Sequence, residues 1–194
     1  MGHYQTAHLP NGESTYCKLD NDDGTQCLIE IHFWPIEQVL RSASCMPPLL
    51  KNTDAVLLVY DVCNRQSFDV LREFLKRMAD HMDSGHGVSL LIAATKIDLP
   101  IEQQRVGNVE ASSLAKEFGA AVGECSSKTG EKVDSIFQEL VNQIKVARTR
   151  QDLITSAQKV DKSPTPSPSR ATKKLSKIGT KLLGIWTTKY KDKI

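Results

Sequence analysis

Residues 88–98 read VSLLIAATKID, an apolar run from Leu90 to Ala94 that stops at Thr95-Lys96-Ile97-Asp98. A short apolar run without alternation suits a strand covered on both faces, the condition of inner strands in a parallel sheet. A second run of this kind, DAVLLVY (54–60), ends at Asp61, and a last strand is expected at AAVGECS (120–126). Between the first two, SFDVLREFLKRMADHM (67–82) sets Phe68, Leu71, Leu75, Met78 and Met82 three and four residues apart, which predicts an amphipathic helix. Val109–Phe118 predicts a shorter helix. Lys132–Arg148 predicts a long one with Val133, Ile136, Phe137, Leu140, Val141 and Ile144 on its apolar face. Residues 15–32 add two strands around Asn21-Asp22-Asp23-Gly24, where Asp-Gly tolerates the positive φ of a hairpin turn. Strand and helix alternate, so the expected class is α/β: a doubly wound, mostly parallel sheet with one antiparallel edge strand and helices on both faces.

A chain of 194 residues at 40% hydrophobic content can bury one such core and leave residues over. Past Arg150 the texture changes. The stretch KSPTPSPS (162–169) holds three Ser/Thr-Pro steps, and proline fixes φ and removes donors, so an extended linker is expected. The expected organisation is a core domain at 1–150, a Ser/Pro-rich linker at 151–170 and a basic tail at 171–194. The net charge of +2 hides an asymmetry, because residues 159–194 carry ten Lys or Arg against two acids. In the tail, Leu175, Ile178, Leu182, Ile185 and Trp186 form one stripe, with the lysines mostly elsewhere, which predicts a basic amphipathic segment. Three readings stay open for Lys173, Lys174, Lys177, Lys181, Leu182 and Trp186: reversible contact with an anionic membrane, docking on an acidic partner, or a solvated chain. Phosphorylation at Ser163, Thr165 or Ser167 would set negative charge beside these lysines.

No run approaches the ~20 apolar residues of a membrane helix, and MGHYQTAHLPNGES has no apolar signal core. A cytoplasmic protein with at most peripheral membrane contact is expected. The five cysteines, Cys17, Cys27, Cys45, Cys63 and Cys125, are widely spaced and form no CxxC, so reduced structural thiols and no metal site are expected. The basic tail has no aromatic platform or recognition fold behind it, and no nucleic-acid partner is expected.

An open α/β sheet binds ligands at the carboxyl ends of its strands. There stand Thr95-Lys96-Ile97-Asp98 and Cys125-Ser126-Ser127-Lys128-Thr129-Gly130, and with Tyr60-Asp61-Val62-Cys63-Asn64-Arg65-Gln66-Ser67-Phe68 the chain resembles the Ras superfamily of small GTPases, of Rab or Ras type. The resemblance covers roughly residues 10–148. It implies the Ras-like doubly wound fold and a guanine-base site at Thr95, Lys96, Asp98, Ser126, Ser127 and Lys128. A carboxylate such as Asp98 can accept from both the N1–H and the exocyclic amine of guanine, a pair that adenine cannot offer. The resemblance further implies that Lys96 lays its stem along the base, Thr95 ties the loops together, and the Ser127 amide with Lys128 closes over the base carbonyl.

Other parts of the family pattern are replaced. The glycine-rich phosphate loop GxxxxGK[ST], which follows the family's first strand, has no match in these residues. Asn11 stands where the magnesium-sensing Thr is expected. In place of Asp-x-x-Gly-Gln the chain reads Phe33-Trp34-Pro35-Ile36-Glu37, with Phe33 at the magnesium Asp and Ile36 at the glycine. The expected fold is therefore incomplete. The family's first strand lies between the hairpin and DAVLLVY, and without it two strands face each other unpaired. Either the gap closes by direct pairing or a partner supplies a strand, since residues 1–9 are too polar to substitute.

These readings lead to a catalytically inactive, GTPase-like protein that works through effector- or regulator-type protein contacts in signalling or membrane traffic. No residue is assigned a catalytic role. GTP or GDP would bind weakly, without magnesium. The exposed apolar residues Phe33, Trp34 and Ile36 form the candidate partner surface, with packing against the neighbouring helix as the alternative. No prenyl anchor is expected, for want of a C-terminal cysteine. The alternative is an incomplete product of a genuine GTP-hydrolysing enzyme.

Overall fold

The computed structural model describes residues 4–9, 12–20, 26–41, 46–51, 53–81, 87–160 and 179–186. Along the chain run β1 (Tyr4–Leu9), β2 (Gly12–Asp20), β3 (Gln26–Pro35), α1 (Ile36–Arg41), α2 (Met46–Leu50), β4 (Ala55–Asp61), α3 (Arg65–Ala79), β5 (Ser89–Thr95), α4 (Asn108–Phe118), β6 (Ala121–Glu124), α5 (Val133–Val160) and β7 (Gly179–Trp186). The strands form one sheet in the order β1-β2-β3-β7-β4-β5-β6. β2 is antiparallel to both β1 and β3, and every other neighbouring pair is parallel.

The apolar runs of β4 and β5 are buried on both faces because two helical layers cover them. On one side Val56, Leu58, Tyr60, Leu90, Ile92 and Ala94 pack with Phe68, Leu71 and Leu75 of α3 and Leu114 of α4. On the other, Ala55, Leu57, Val59, Leu91 and Ala93 pack with Ile136, Leu140, Val141 and Ile144 of α5. Each fully buried Val, Leu, Ile or Phe among them contributes about 1.5–3 kcal/mol. Asn64 caps α3, its side-chain oxygen accepting from the Ser67 amide at 3.3 Å. Gly119 ends α4 with φ of 65°, the left-handed conformation that glycine adopts without a Cβ penalty. Where α5 passes the start of β4, Arg148 Nη2 lies 2.6 Å from Asp54 Oδ1.

The structure departs from the sequence reading in three places. First, β7 comes from the segment read as a basic amphipathic tail. It lies between β3 and β4, pairing Leu28 with Gly179 and Pro35 with Trp186 on one side, and Ala55 with Leu182 and Val59 with Trp186 on the other. Lys181, Leu182 and Trp186 therefore belong to a central strand, and the gap expected there is filled by the chain itself. A short run such as Leu182-Leu183-Gly184-Ile185-Trp186 fits a covered strand as well as a helical stripe, so periodicity alone could not separate them. The topology agrees with it. The chain steps outward from β4 to β6 with α3 and α4 on one face, then back to β7 with α5 on the other. Reversing direction and face together preserves the crossover hand, as parallel connections require. Lys173, Lys174, Lys177 and the three Ser/Thr-Pro sites lie outside the described residues, and α5 runs ten residues beyond the expected domain end at residue 150.

Second, Phe33, Trp34 and Ile36 form no exposed patch. Ile36 is fully buried and Trp34 packs against the α3 side of the core, while Phe33 packs against the α5 side. Successive residues of a strand point to opposite faces, so both rings find a layer to enter. Third, residues 4–9 do form a strand, at the outer edge rather than in the gap, and the antiparallel strand β2 is second from that edge.

Candidate functional site

The loops that follow β4, β5 and β6 meet at one edge of the sheet. Thr95, the last residue of β5, is buried and donates its hydroxyl to the Tyr60 carbonyl at 2.9 Å, and its own carbonyl accepts from the Val62 amide at 3.2 Å. Thr95 thus fastens the second loop to the first. Lys96 follows with φ of 65°, a conformation that costs a non-glycine residue energy and persists only where its surroundings fix it. Part of that fixing is visible. Lys96 Nζ lies 2.6 Å from Asp61 Oδ2, and the Asp61 side chain is only 14% exposed.

Asp98 carries the denser network. Its Oδ1 accepts from the Ser126 hydroxyl at 2.6 Å, and Oδ2 faces Lys128 Nζ at 4.0 Å. The Ser126 hydrogen bond holds the Asp98 carboxyl below its ordinary value, with Lys128 and Lys96 acting in the same direction against partial desolvation. Ser126 is 0% exposed, and its hydroxyl oxygen also accepts from the Thr129 amide at 3.2 Å. The turn closes through Gly130, whose φ of 79° lets its amide reach the Ser126 carbonyl at 2.9 Å. Ser127 and Lys128 are exposed at its tip, and the Ser127 amide has no acceptor among the described residues. Thr95, Lys96, Asp98, Ser126 and Lys128 are thus brought together, with Ser127 presenting its backbone beside them.

Two supporting sets escaped the sequence reading. Asp61 and Ser67 form a circuit: Asp61 Oδ1 accepts from the Cys63 amide at 2.8 Å, and Ser67 Oγ accepts from the Asp61 amide at 3.0 Å and donates to the Asn64 carbonyl at 2.7 Å. The signal was the Tyr-Asp-x-x-Asn-x-x-Ser-Phe pattern, whose polar members serve the turn and the cap of α3. At the end of β6, Glu124 accepts from Lys132 Nζ and from Asn108 Nδ2, the latter at 3.4 Å. The Lys132 hydrogen bond holds the Glu124 carboxyl below its ordinary value.

The sequence profile of the Ras family matches residues 41–146, more than half of the chain. The chain belongs to the Ras family. It is 29% identical over 133 residues to Ras-related protein Rab-26 of Bos taurus, an alignment covering 69% of this chain and 50% of the relative. With the small monomeric GTPase RhbA of Aspergillus fumigatus it shares 33% identity over 145 residues, 73% of this chain and 74% of that protein. With Ras-related protein RABE1d of Arabidopsis thaliana it shares 26% over 148 residues, 75% and 68% of the two chains. This Ras-family chain spans about half the length of the Rab-26 relatives it matches. Among its described residues no helix is long and apolar enough to cross a membrane.

The donor set decides which parts of a nucleotide these residues fit. Asp98 offers a carboxylate acceptor and Ser127 an exposed amide with no acceptor among the described residues. Magnesium does not fit the position where the family pattern has Asp, because the Phe33 side chain has no oxygen and packs against the core.

Proposed function

We propose that this chain is a catalytically inactive member of its family that keeps a guanine-base site and acts through protein contacts of effector or regulator type, in signalling or membrane traffic. One contrast supports the reading. Ser126 and Asp98 are bonded across the two loops, while in the segment matching the magnesium and γ-phosphate switch Ile36 is buried in the core and Phe33 packs against it. A polar switch must be free to move onto and off a phosphate. A fully buried Ile36 is held by its packing and cannot do so without opening the core.

In this reading Asp98 selects guanine, Ser126 keeps its carboxylate ionised and aimed, and Lys96, Ser127 and Lys128 frame the base. Phosphate contacts supply much of the affinity for a nucleotide, so GTP and GDP bind weakly and magnesium makes no difference. The test is titration of nucleotide-stripped protein with fluorescent GTP and GDP analogues, with and without magnesium. Weak, magnesium-indifferent binding is expected, lost in Asp98→Ala. Micromolar or tighter binding that requires magnesium would overturn the reading.

The intact base loops also favour a second reading, in which these residues belong to a longer product that binds and hydrolyses GTP. An in-frame upstream exon encoding a strand followed by GxxxxGK[ST] would decide for it.

A further inference from the structure

We propose that the slot between β3 and β4 is a strand-binding groove, and that β7 is a separable strand of the same chain that occupies it as a ligand would. The inference concerns backbone pairing and does not depend on nucleotide binding.

Three observations carry it. The pairing is two-sided and in register over the strand: Ile31, Phe33 and Trp34 stand opposite Leu182, Gly184 and Ile185, while Val56, Leu57 and Leu58 stand opposite Leu183, Gly184 and Ile185. Withdrawing β7 would leave the facing amides and carbonyls of β3 and β4 unpaired in the middle of the sheet, a state the chain avoids wherever a strand is at hand. The second observation is connectivity. β7 is the last described element in chain order, and residues 161–178 join it to α5, so it can leave without any other described element being drawn out. The third is sequence distance. Leu28 pairs with Gly179 and Ala55 with Leu182, whereas β4 and β5 pair Ala55 with Ser89. Distant pairings are slow to close, so β7 joins after β4 and β5 have paired.

The slot borders the strand that leads to the candidate base site: β7 pairs with β4 as far as Val59, and β4 ends two residues later at Asp61, which pairs with Thr95 of β5 and holds Lys96. The occupant of the slot is this chain's own strand, a parallel extended segment with the apolar run Leu182-Leu183-Gly184-Ile185-Trp186.

The test uses the full chain carrying one specific protease site within residues 161–178. After cleavage, native mass spectrometry and hydrogen exchange are read together. The expected result is that the fragment bearing β7 stays bound, that excess labelled peptide spanning 171–194 exchanges into the complex, and that the same peptide with Leu183→Pro does not. Dilution that releases the fragment should speed exchange of those amides of residues 28–34 and 55–59 that face β7 at least about tenfold. Release with those amides still protected would mean that β3 and β4 pair directly, and would overturn the proposal. So would a retained fragment that never exchanges, unfolding on cleavage, or an uncut chain that is a dimer holding the second copy's strand.

Discussion

Ser126, a residue with no exposed surface, donates its hydroxyl hydrogen to Asp98 across 2.6 Å, and in doing so joins the loop after β6 to the loop after β5. The bond favours the carboxylate over the carboxylic acid, because a charged oxygen is the stronger acceptor for the Ser126 hydroxyl. Replacing Ser126 with Ala should raise the Asp98 pKa toward the ordinary value, read by NMR titration of the side-chain carboxyl carbon. An unmoved titration would show that Lys128 and Lys96 suffice. The sign for stability follows from a depressed folded pKa. The contribution is present above the unfolded value and lost as pH falls through the folded one, so the loops should loosen only under strongly acid conditions.

Lys96 and Asp61 form the other link between loops, at 2.6 Å, with the lysine 48% exposed and the aspartate 14%. Exposure on one side weakens such a pair, and about 0.5–1 kcal/mol of coupling is expected from a double-mutant cycle of Lys96→Met and Asp61→Asn in urea. Coupling near zero would mean that the left-handed backbone at Lys96 is fixed by other contacts.

Tyr60 is 1% exposed, its ring meets Phe68 edge-on with centroids 5.0 Å apart, and its hydroxyl has no hydrogen-bond partner among the described residues. Burial first, then the Glu110 and Glu124 carboxylates, push its pKa up to about 12. The unfolded chain loses this proton near pH 10, so stability should decline as pH rises from about 10 toward 12. Tyr60→Phe should remove that alkaline limb and gain about 1 kcal/mol at neutral pH, since an unpaired buried hydroxyl is no longer desolvated. Thermal unfolding of both proteins at pH 7 and pH 11 checks this, and a destabilised variant at pH 7 would contradict it.

At Gly123, β6 passes close against Ile136 of α5. A Cβ built there would stand 2.2 Å from Ile136 Cδ1. The clash falls on the tip of a side chain, so Gly123→Ala should cost only about 1 kcal/mol as Ile136 leaves its rotamer. Ile136→Val in the same chain should recover part of the loss. No recovery, measured by denaturation, would place the strain in the backbone instead.

The parts of the fold that were legible in the sequence are those whose pattern has one reading. β4 and β5 are unbroken apolar runs, and Phe68, Leu71 and Leu75 recur at helical spacing, so strand and helix could not be exchanged. The loops were legible because Thr95 ends the apolar run of β5, with Asp98 just beyond it and Ser126 just beyond β6. β7 was not, because its pairing partners lie far away in sequence and its lysines fit a surface helix equally well. Phe33 and Ile36 misled for a related reason: apolar residues replacing a polar switch look exposed until the layer that covers them is known. Asp61 and Ser67 were hidden because a pattern that marks kinship does not say which of its members bind one another.

The position of β7 has a consequence for synthesis. Ribosomes deliver the chain from its amino end, so β3 and β4 both emerge while the strand that joins them is still untranslated. At 5–20 residues per second, the stretch from Asp61 to Trp186 takes on the order of 10 s to make. For that interval the nascent sheet is cleft down its middle and offers two open edges to chaperones and to neighbouring nascent chains. A product that stops before Gly179 would therefore carry an open seam through its centre.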